Sequence, residues 1–305
     1  MWSNVDVESP QESQIVAGRY AKHRYLGKGG FAYWVQVTDM QNDNKQYAMK
    51  VIAKVANGKP RDINKIENEV AILAEMDHPS VARMNRFFED EENVYIVMEL
   101  CENKSMIELL KVRQRLTEDE VKSYISQLIE GLKYLHQNQI IHRDLKLGNL
   151  FVTDKMELKI GDFGLSERIL YEGELKKSMS GTPNYIAPEI LLWKDGHSYG
   201  VDIWAIGVIA YTLLIGKPPF QSKNSKTTCS KIKKCLYSFP DDIYVSSEAK
   251  DFIRSLLKLD SSERLTLDNI KKHAFFKRPF PKLWPTSTLY LPPQNSVNLN
   301  VSERR

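Results

Sequence analysis

The chain has 305 residues, 42% hydrophobic and 27% charged, and its 43 Lys and Arg against 39 Asp and Glu leave a net charge of +4. This is ordinary globular composition, with length for one large domain or two smaller ones and an ample core. So small and spread a charge gives no basis for a nucleic-acid partner; it reads as a solvated mixed surface, mildly suited to acidic peptides. Three cysteines, Cys101, Cys229 and Cys235, show no metal-ligand spacing and no disulfide framework, which fits a reducing compartment. No apolar run reaches the ~18 residues of a membrane span. The polar, acidic N-terminus is unlike a secretory signal. A soluble intracellular protein is expected.

In chain order, residues 1–18 are polar, include Ser9-Pro10 and read as a flexible arm. Residues 25–37 and 46–52 form short β-like runs. Gly27, Gly29 and Gly30 interrupt the first, and Asn42-Asp43-Asn44 supplies a turn between the two. A helix is predicted over 62–75, with Ile63, Ile66, Val70 and Leu73 at helical spacing, and a buried strand over 94–98. Thr117 to Glu120 is a capping-box start for a helix continuing through 121–136. Further helices are predicted over 202–215, 246–259 and 266–273. From about Pro285 the chain, with Asn295, Asn298 and Asn300, reads as a loosely held tail, and there are no internal repeats. A strand-rich first third before a helical remainder is an α+β pattern with two lobes, 19–100 and 101–284, then a tail over 285–305. The hinge falls near residues 99–104, and a site using both halves would lie in the cleft between them, a usual place for a nucleotide.

Several motifs carry chemistry. Leu26-Gly27-Lys28-Gly29-Gly30-Phe31-Ala32 lies on a strand–turn–strand, which argues against a Rossmann or Walker site. Glycines there let backbone N–H groups approach phosphate oxygens, although alone the motif is also a plain hairpin turn. Alternation places Ala32 and Trp34 on one face. Trp34 then either stacks on a base or crowds it; stacking in a narrowed pocket is the reading adopted. Lys50 shares a strand face with Ala48 and is expected to hold the α- and β-phosphates, positioned by a carboxylate on the next helix. Glu67 and Glu69 both flank the apolar stripe, so periodicity does not choose between them.

The stretch His142-Arg143-Asp144-Leu145-Lys146-Leu147-Gly148-Asn149, followed by Asp162-Phe163-Gly164, supplies a carboxylate, a cation and two oxygen ligands. Asp144 is the candidate base. A carboxylate with pKa near ~3.9 is a poor base for an alcohol, so its contribution is mainly alignment. Lys146 can neutralise charge on a travelling phosphoryl group. Asn149 and Asp162 offer the hard oxygens that Mg²⁺ prefers. His142 reads as packing and Phe163 as core. Phe151 is expected to floor an adenine, and Glu99 and Cys101 at the hinge to border it.

With Ala187-Pro188-Glu189 downstream, these motifs resemble the protein-kinase signature set. That resemblance favours Glu69, which stands at the usual kinase spacing before His78-Pro79. Gly148 stands where arginine-directed kinases often carry glutamate, and Gly181-Thr182-Pro183-Asn184-Tyr185 points to Ser/Thr substrates. Over residues 19–276 the chain resembles the polo-like kinases: residues 27–32, 142–151, 159–165, 181–189 and Gly216-Lys217-Pro218-Pro219-Phe220 carry the likeness. The resemblance implies a bilobal kinase fold and ATP- and Mg²⁺-dependent phosphorylation of protein Ser/Thr. It further implies a preference for acidic contexts, an upstream activating kinase, and work in cell division at centrosome or spindle, in cytoplasm and nucleus. A catalytic domain of this kind is expected to be monomeric, with no nucleic-acid or membrane partner.

Two departures stand out. Trp34 replaces the family's small residue over the adenine, and nothing after Phe276 resembles the polo-box region that docks phosphorylated partners. A catalytic-domain fragment is therefore expected, and the competing class is a catalytically silent kinase-fold scaffold. Arg143 suggests control by phosphorylation, since an arginine grips phosphate oxygens bidentately. Ser178 matches the family phosphosite, Ser180 is the alternative, and Thr182 is expected to bond near Asp144 and Lys146. The resemblance also implies a structural Glu189–Arg264 ion pair, with Asp202 and Trp204 anchoring the helix behind it.

Overall fold

Apolar side chains alternating with polar ones build the first sheet and decide which of its faces is buried. The computed structural model describes residues 15–29, 32–56, 58–192 and 196–290. The chain divides into two compact units: the described residues through Met76 with Ala82–Leu100, and Asp77–Val81 with those from Cys101 onward. The first is strand-rich and the second mainly helical, an α+β bilobal fold.

In the first unit, β1 (Ile15–Val16), β2 (Tyr20–Gly29), β3 (Ala32–Asp39) and β4 (Lys45–Ala53) precede a short ribbon, β5 (Val55–Ala56) and β6 (Lys59–Pro60). Helix α1 (Ile63–Glu75), β7 (Met84–Glu89) and β8 (Asn93–Glu99) follow. One antiparallel sheet runs in the order β1-β2-β3-β4-β8-β7. Val35, Val37, Tyr47, Met49, Val51, Tyr95 and Val97 share one buried face with Val16 and Tyr20. Between β3 and β4, Asp43 and Asn44 take positive φ, 46° and 56°, which short polar residues tolerate in turns. Arg19 clamps Asp39 with two hydrogen bonds of 2.7 Å, which holds that carboxyl below the usual carboxylate range.

The second unit contains α2 (Met106–Arg113), α3 (Glu118–Gln137), β9 (Ile140–Ile141), β10 (Leu150–Val152), β11 (Leu158–Ile160), β12 (Glu167–Arg168) and α4 (Pro188–Leu192). After these come α5 (Gly200–Ile215), α6 (Ser225–Lys233), α7 (Ser247–Leu256) and α8 (Leu267–Ile270). The capping box forms as read: Thr117 Oγ1 accepts from the Glu120 N–H, and Glu120 accepts from the Thr117 N–H at 2.8 Å. The same Glu120 grips Arg113, both almost fully buried. Helix α5 is buried nearly all round and stops at Gly216, where φ is 91° and a Cβ would lie 2.5 Å from the Gln114 carbonyl oxygen. No helix among the described residues is long and apolar enough to cross a membrane.

Four expectations are corrected. Ile15 and Val16 do not belong to a flexible arm: they pair with Ala21 and Tyr20, and Val16 joins the core; residues 1–14 lie outside the described residues. Ile63 is exposed at the first position of α1, and Ile72 takes its place in the buried stripe. The helices predicted over 246–259 and 266–273 are shorter, and His273 instead caps a one-turn helix at Ala274–Phe276. The tail is held at its start: Thr286–Leu289 forms one helical turn, Leu289 is buried, and the Arg113 guanidinium donates to the Thr288 carbonyl. Residues 291–305 lie outside the described residues. Helices α2, α4 and α6 were not predicted.

Candidate active site

The pleat that turns Met49 and Val51 into the core turns Lys50 to the other face of the sheet, where α1 delivers Glu69. Lys50 Nζ and Glu69 Oε1 are 2.6 Å apart, with side chains only 9% and 6% exposed. Glu67 is exposed on α1, so burial settles what periodicity left open. Trp34 pairs in register with Lys50 across β3–β4, and the ammonium lies 5.7 Å from its ring centroid. Ala48 is half-buried one pleat along, opposite Gln36 and Met98. Leu26 and Lys28 are exposed on β2, Gly27 pairs with Trp34, and Gly29 pairs with a buried Ala32, with register irregularities just before Gly27. Gly30 and Phe31, also named as nucleotide contacts, lie outside the described residues. At the end of β8, the Glu99 carboxylate accepts from the Arg83 N–H at 2.7 Å.

The second unit assembles its own group. Asp144, buried, accepts from the Thr182 hydroxyl at 2.7 Å and from Lys146 Nζ at 2.6 Å, while Lys146 also donates to Thr182 at 2.9 Å. Asn149 donates its amide to the Asp144 backbone carbonyl at 2.9 Å and to the carboxylate at 3.2 Å. That pins the asparagine with its amide oxygen turned away from these acceptors. Arg143 and Asp162 have φ of 67° and 59°, a left-handed conformation costing about 1–3 kcal/mol for non-glycine residues and common at functional sites. His142 is fully buried, bonds the Gly161 carbonyl at 3.0 Å and meets Phe163 edge-on at 5.1 Å. Phe151 is half-buried in the β10–β11 hairpin, bridged to Ser105, and Cys101 is half-buried at the start of the unit.

The loop carrying Asp144 is held from beneath. Asp202, on the first turn of α5, accepts from the backbone N–H groups of His142 and Arg143 at 3.0 and 2.9 Å and bonds His136 at 2.9 Å. Burial opposes its ionisation, but the hydrogen bonds and the two histidines outweigh it and keep the carboxyl below its ordinary range. Asp202 thus anchors the loop itself as well as a helix behind it. Arg264 donates to both Glu189 oxygens at 2.7 Å and to the Gly200 carbonyl at 2.7 Å, above the Trp204 ring.

Arg143 is mostly buried, which lowers its guanidinium from the ordinary arginine range against the pull of Glu167. It donates to the Leu165 carbonyl at 2.6 Å, pairs with Glu167 at 2.8 Å and reaches the Ser178 hydroxyl, which itself lies 3.3 Å from Glu167. Glu167 was missed in the sequence, because nothing in its spacing marks a partner for Arg143. His197, buried nearby, is held below the usual histidine range by burial and then by Arg143.

Within the second unit, the amide oxygen of Asn149 and the carboxylate of Asp162 are donors that suit magnesium; within the first, the Lys50 ammonium held by Glu69 suits a phosphate. Mg²⁺ takes few protein oxygens and keeps waters and phosphate as its other ligands.

A family model described as protein kinase domain matches residues 20–276. The chain is 51% identical over 280 residues to a probable serine/threonine-protein kinase, CCRP1, of Zea mays, covering 91% of this chain and 45% of that one. It is 46% identical over 280 residues to serine/threonine-protein kinase PLK1 of Xenopus laevis, covering 92% and 46% respectively. It is 45% identical over 285 residues to serine/threonine-protein kinase polo of Drosophila melanogaster, covering 93% and 49%. The chain therefore spans about half the length of the curated relatives it matches.

Proposed function

The chain belongs to the protein kinase domain family, in its polo-like Ser/Thr branch, and from that premise we propose that it transfers the γ-phosphoryl group of ATP to protein serine and threonine hydroxyls. The observation that carries the reading is the Asp144 cluster, in which Thr182, Lys146 and Asn149 all converge on one buried carboxylate. Asp144 accepts the hydrogen bond of the substrate hydroxyl, aims its oxygen at the γ-phosphorus and receives the proton late, as the new P–O bond forms. Lys146 faces the developing charge. Thr182 fixes the carboxylate rotamer and couples it to the segment on which the peptide lies.

Asn149 and Asp162 are the residues that would hold Mg²⁺, which when bound supplies charge neutralisation on the phosphates. Lys50, steadied by Glu69, holds the α- and β-phosphates. Leu26, Gly27, Lys28, Gly29, Ala32, Trp34, Ala48, Glu99, Cys101 and Phe151 border the nucleotide, with Trp34 stacking on the base. Ser178 is the regulatory phosphosite for an upstream kinase. The proposed substrates present Ser/Thr in acidic contexts, and the proposed setting is cell division, at centrosome or spindle.

The test is transfer of labelled phosphate from Mg-ATP to casein, an acidic serine-rich protein, by the wild type and Asp144→Asn side by side. Transfer by the wild type with a loss of at least about a thousandfold in Asp144→Asn is the expected outcome. If neither protein transfers after Ser178 has been phosphorylated, the enzyme reading is wrong and the chain is a kinase-fold scaffold.

A further inference from the structure

Between Ile203 and Pro240 the chain carries Lys217, Lys223, Lys226, Lys231, Lys233 and Lys234 and no aspartate or glutamate. These six lysines exceed the whole chain's net charge of +4, so a positive charge that composition reads as spread is concentrated here. Most of them ride on α6 or its flanks. Asn224 caps the helix by accepting from the Thr227 N–H at 2.8 Å, and Thr228 and Ile232 are its buried anchors. At about 100° per residue, Ser230 then points directly away from the anchors, with Lys226, Lys233 and Lys234 grouped around it. All three lysines are exposed, and with Ser225, Cys229 and Ser230 they line an open hollow of about 460 Å³.

Some other lysines of this unit find acids: Lys111 pairs with Glu108, Lys122 with Asp119, Lys133 with Asp268 and Lys271 with Glu130. Among the described residues, no acidic side chain pairs with Lys223, Lys226, Lys231, Lys233 or Lys234. Lys231 and Lys233, in the last turn, suit the helix dipole, but Lys226 stands in the first turn, where a cation is unfavourable. Nothing in the packing of α6 needs them, because its burial rests on Thr228 and Ile232.

We propose that this face of α6 docks an acidic segment of the protein substrate, apart from the residues that hold the phosphorylation site. The proposal rests on the kinase reading above and gives the preference for acidic partners a second, distal origin. The placement allows it. Helix α4 packs against α6, and Pro188 follows Thr182, the residue bonded to Asp144, by six positions, a span of at most about 20 Å. Adding one helix-packing distance of about 10 Å puts the lysines within about 30 Å of the base, which roughly ten extended residues of a substrate cover. A bilayer surface is the poorer fit, since no large apolar side chain is exposed between Ser225 and Lys234 to enter one.

The experiment compares a short serine acceptor peptide with the same peptide joined through about ten Gly/Ser residues to a run of eight glutamates. With wild type, the glutamate run should lower KM about tenfold at low salt, with the gain shrinking as salt is raised. Lys226→Glu/Lys233→Glu/Lys234→Glu should abolish that gain while leaving kcat on the short peptide unchanged, and the triple Lys→Arg variant should keep it. A gain that survives the triple Glu variant, or no gain in the wild type, overturns the proposal. If even the short peptide is not phosphorylated, the kinase reading fails and the patch is judged by fluorescence anisotropy of the labelled glutamate octamer. There the triple Glu variant should bind at least about tenfold more weakly; equal binding overturns the proposal. Loss of binding only to phosphatidylserine vesicles, with the octamer unaffected, would assign the patch to lipid instead.

Discussion

Removing both charges of the Lys50–Glu69 pair should damage the protein no more than removing the Lys50 charge alone. The two atoms are 2.6 Å apart, and the side chains are 9% and 6% exposed, so removing either charge takes the close counter-charge from the other in a poorly solvated place. Breaking a buried pair from one side typically costs about 3–5 kcal/mol. In Glu69→Gln the amide oxygen still accepts a hydrogen bond, and the Trp34 ring, 5.7 Å from the ammonium, contributes about 0.5–2 kcal/mol to Lys50. A loss of about 2–3 kcal/mol follows. Lys50→Met takes the ammonium from a buried carboxylate and should cost about 3–4 kcal/mol. The double variant should be no worse than Lys50→Met alone, giving a coupling of about 2 kcal/mol or more. Glu67→Gln, on the exposed side of α1, should stay within about 0.5 kcal/mol of wild type. Equilibrium urea unfolding followed by tryptophan fluorescence reads all four proteins through their midpoints and slopes. Additivity of the two single changes within about 0.5 kcal/mol, or an equal loss in Glu67→Gln, would refute the reasoning.

The remaining expectations concern the supporting network, the regulatory arginine and the nucleotide side. Arg264→Ala strips donors from both Glu189 oxygens and from the Gly200 and Lys258 carbonyls, at about 3–5 kcal/mol, or a fall of roughly 6–20 °C in Tm; a fall under about 3 °C would contradict it. His197 is depressed in the folded state, so between its folded value and ~6.5 the unfolded chain binds more protons and stability falls as pH drops. Tm measured from pH 7.5 to 5.5 should decline less steeply in His197→Gln, and an unchanged slope would count against burial as the cause. A phosphate on Ser178 would bring about −1.5 to −2 charge beside Glu167 as well as Arg143. A unit pair at 4 Å is worth about 4 kcal/mol at an effective dielectric of 20, cut to about 1–2 by the partial exposure of Glu167. Glu167→Gln should therefore enlarge the Tm gain on Ser178 phosphorylation by a few degrees (about 1–2 kcal/mol); equal gains would show that Glu167 does not compete for Arg143. Trp34→Val should weaken ATP binding about tenfold, as loss of one stacking partner does, and should widen tolerance for bulky adenine-site inhibitors. Isothermal titration tests this, and unchanged affinity with unchanged tolerance would remove Trp34 from the base.

What the sequence made legible was whatever repeats at a fixed period or sits at a fixed spacing. The alternation assigned Ala32 and Trp34 to one face of β3, and Ala48 and Lys50 to one face of β4, because a pleat admits only two faces; that Trp34 and Lys50 are cross-strand neighbours needed the register. The capping box at Thr117 was readable because its two hydrogen bonds need those residue types three positions apart. Helices α2, α4 and α6 escaped for the opposite reason: they are short, and α2 in particular has almost no amphipathic stripe for a periodicity argument to find. Val16 and Leu289 escaped because two or three adjacent apolar residues carry no period, and only the surfaces they cover reveal them.

The site divides along the same line. Asp144, Lys146, Asn149 and Asp162 lie within one short stretch, so local spacing sufficed to name them. Glu69 was one of two glutamates that periodicity left equal and only the family resemblance favoured it; the structure buries it beside Lys50 and leaves Glu67 exposed. Glu167 and Asp202 act from 24 and 59 positions beyond Arg143, through contacts that no local rule encodes. Their consequence is asymmetric. Asp202 accepts from the backbone and would hold the loop in either state of Ser178. Glu167 is a side-chain anion on the very guanidinium that a phosphate would need. Arg143 therefore already has an occupant, and a phosphate placed on Ser178 would exchange one anion for a stronger one. The gain from phosphorylation is then the difference between two ion pairs, smaller than an arginine without a partner would give, and the Glu167→Gln measurement isolates that difference.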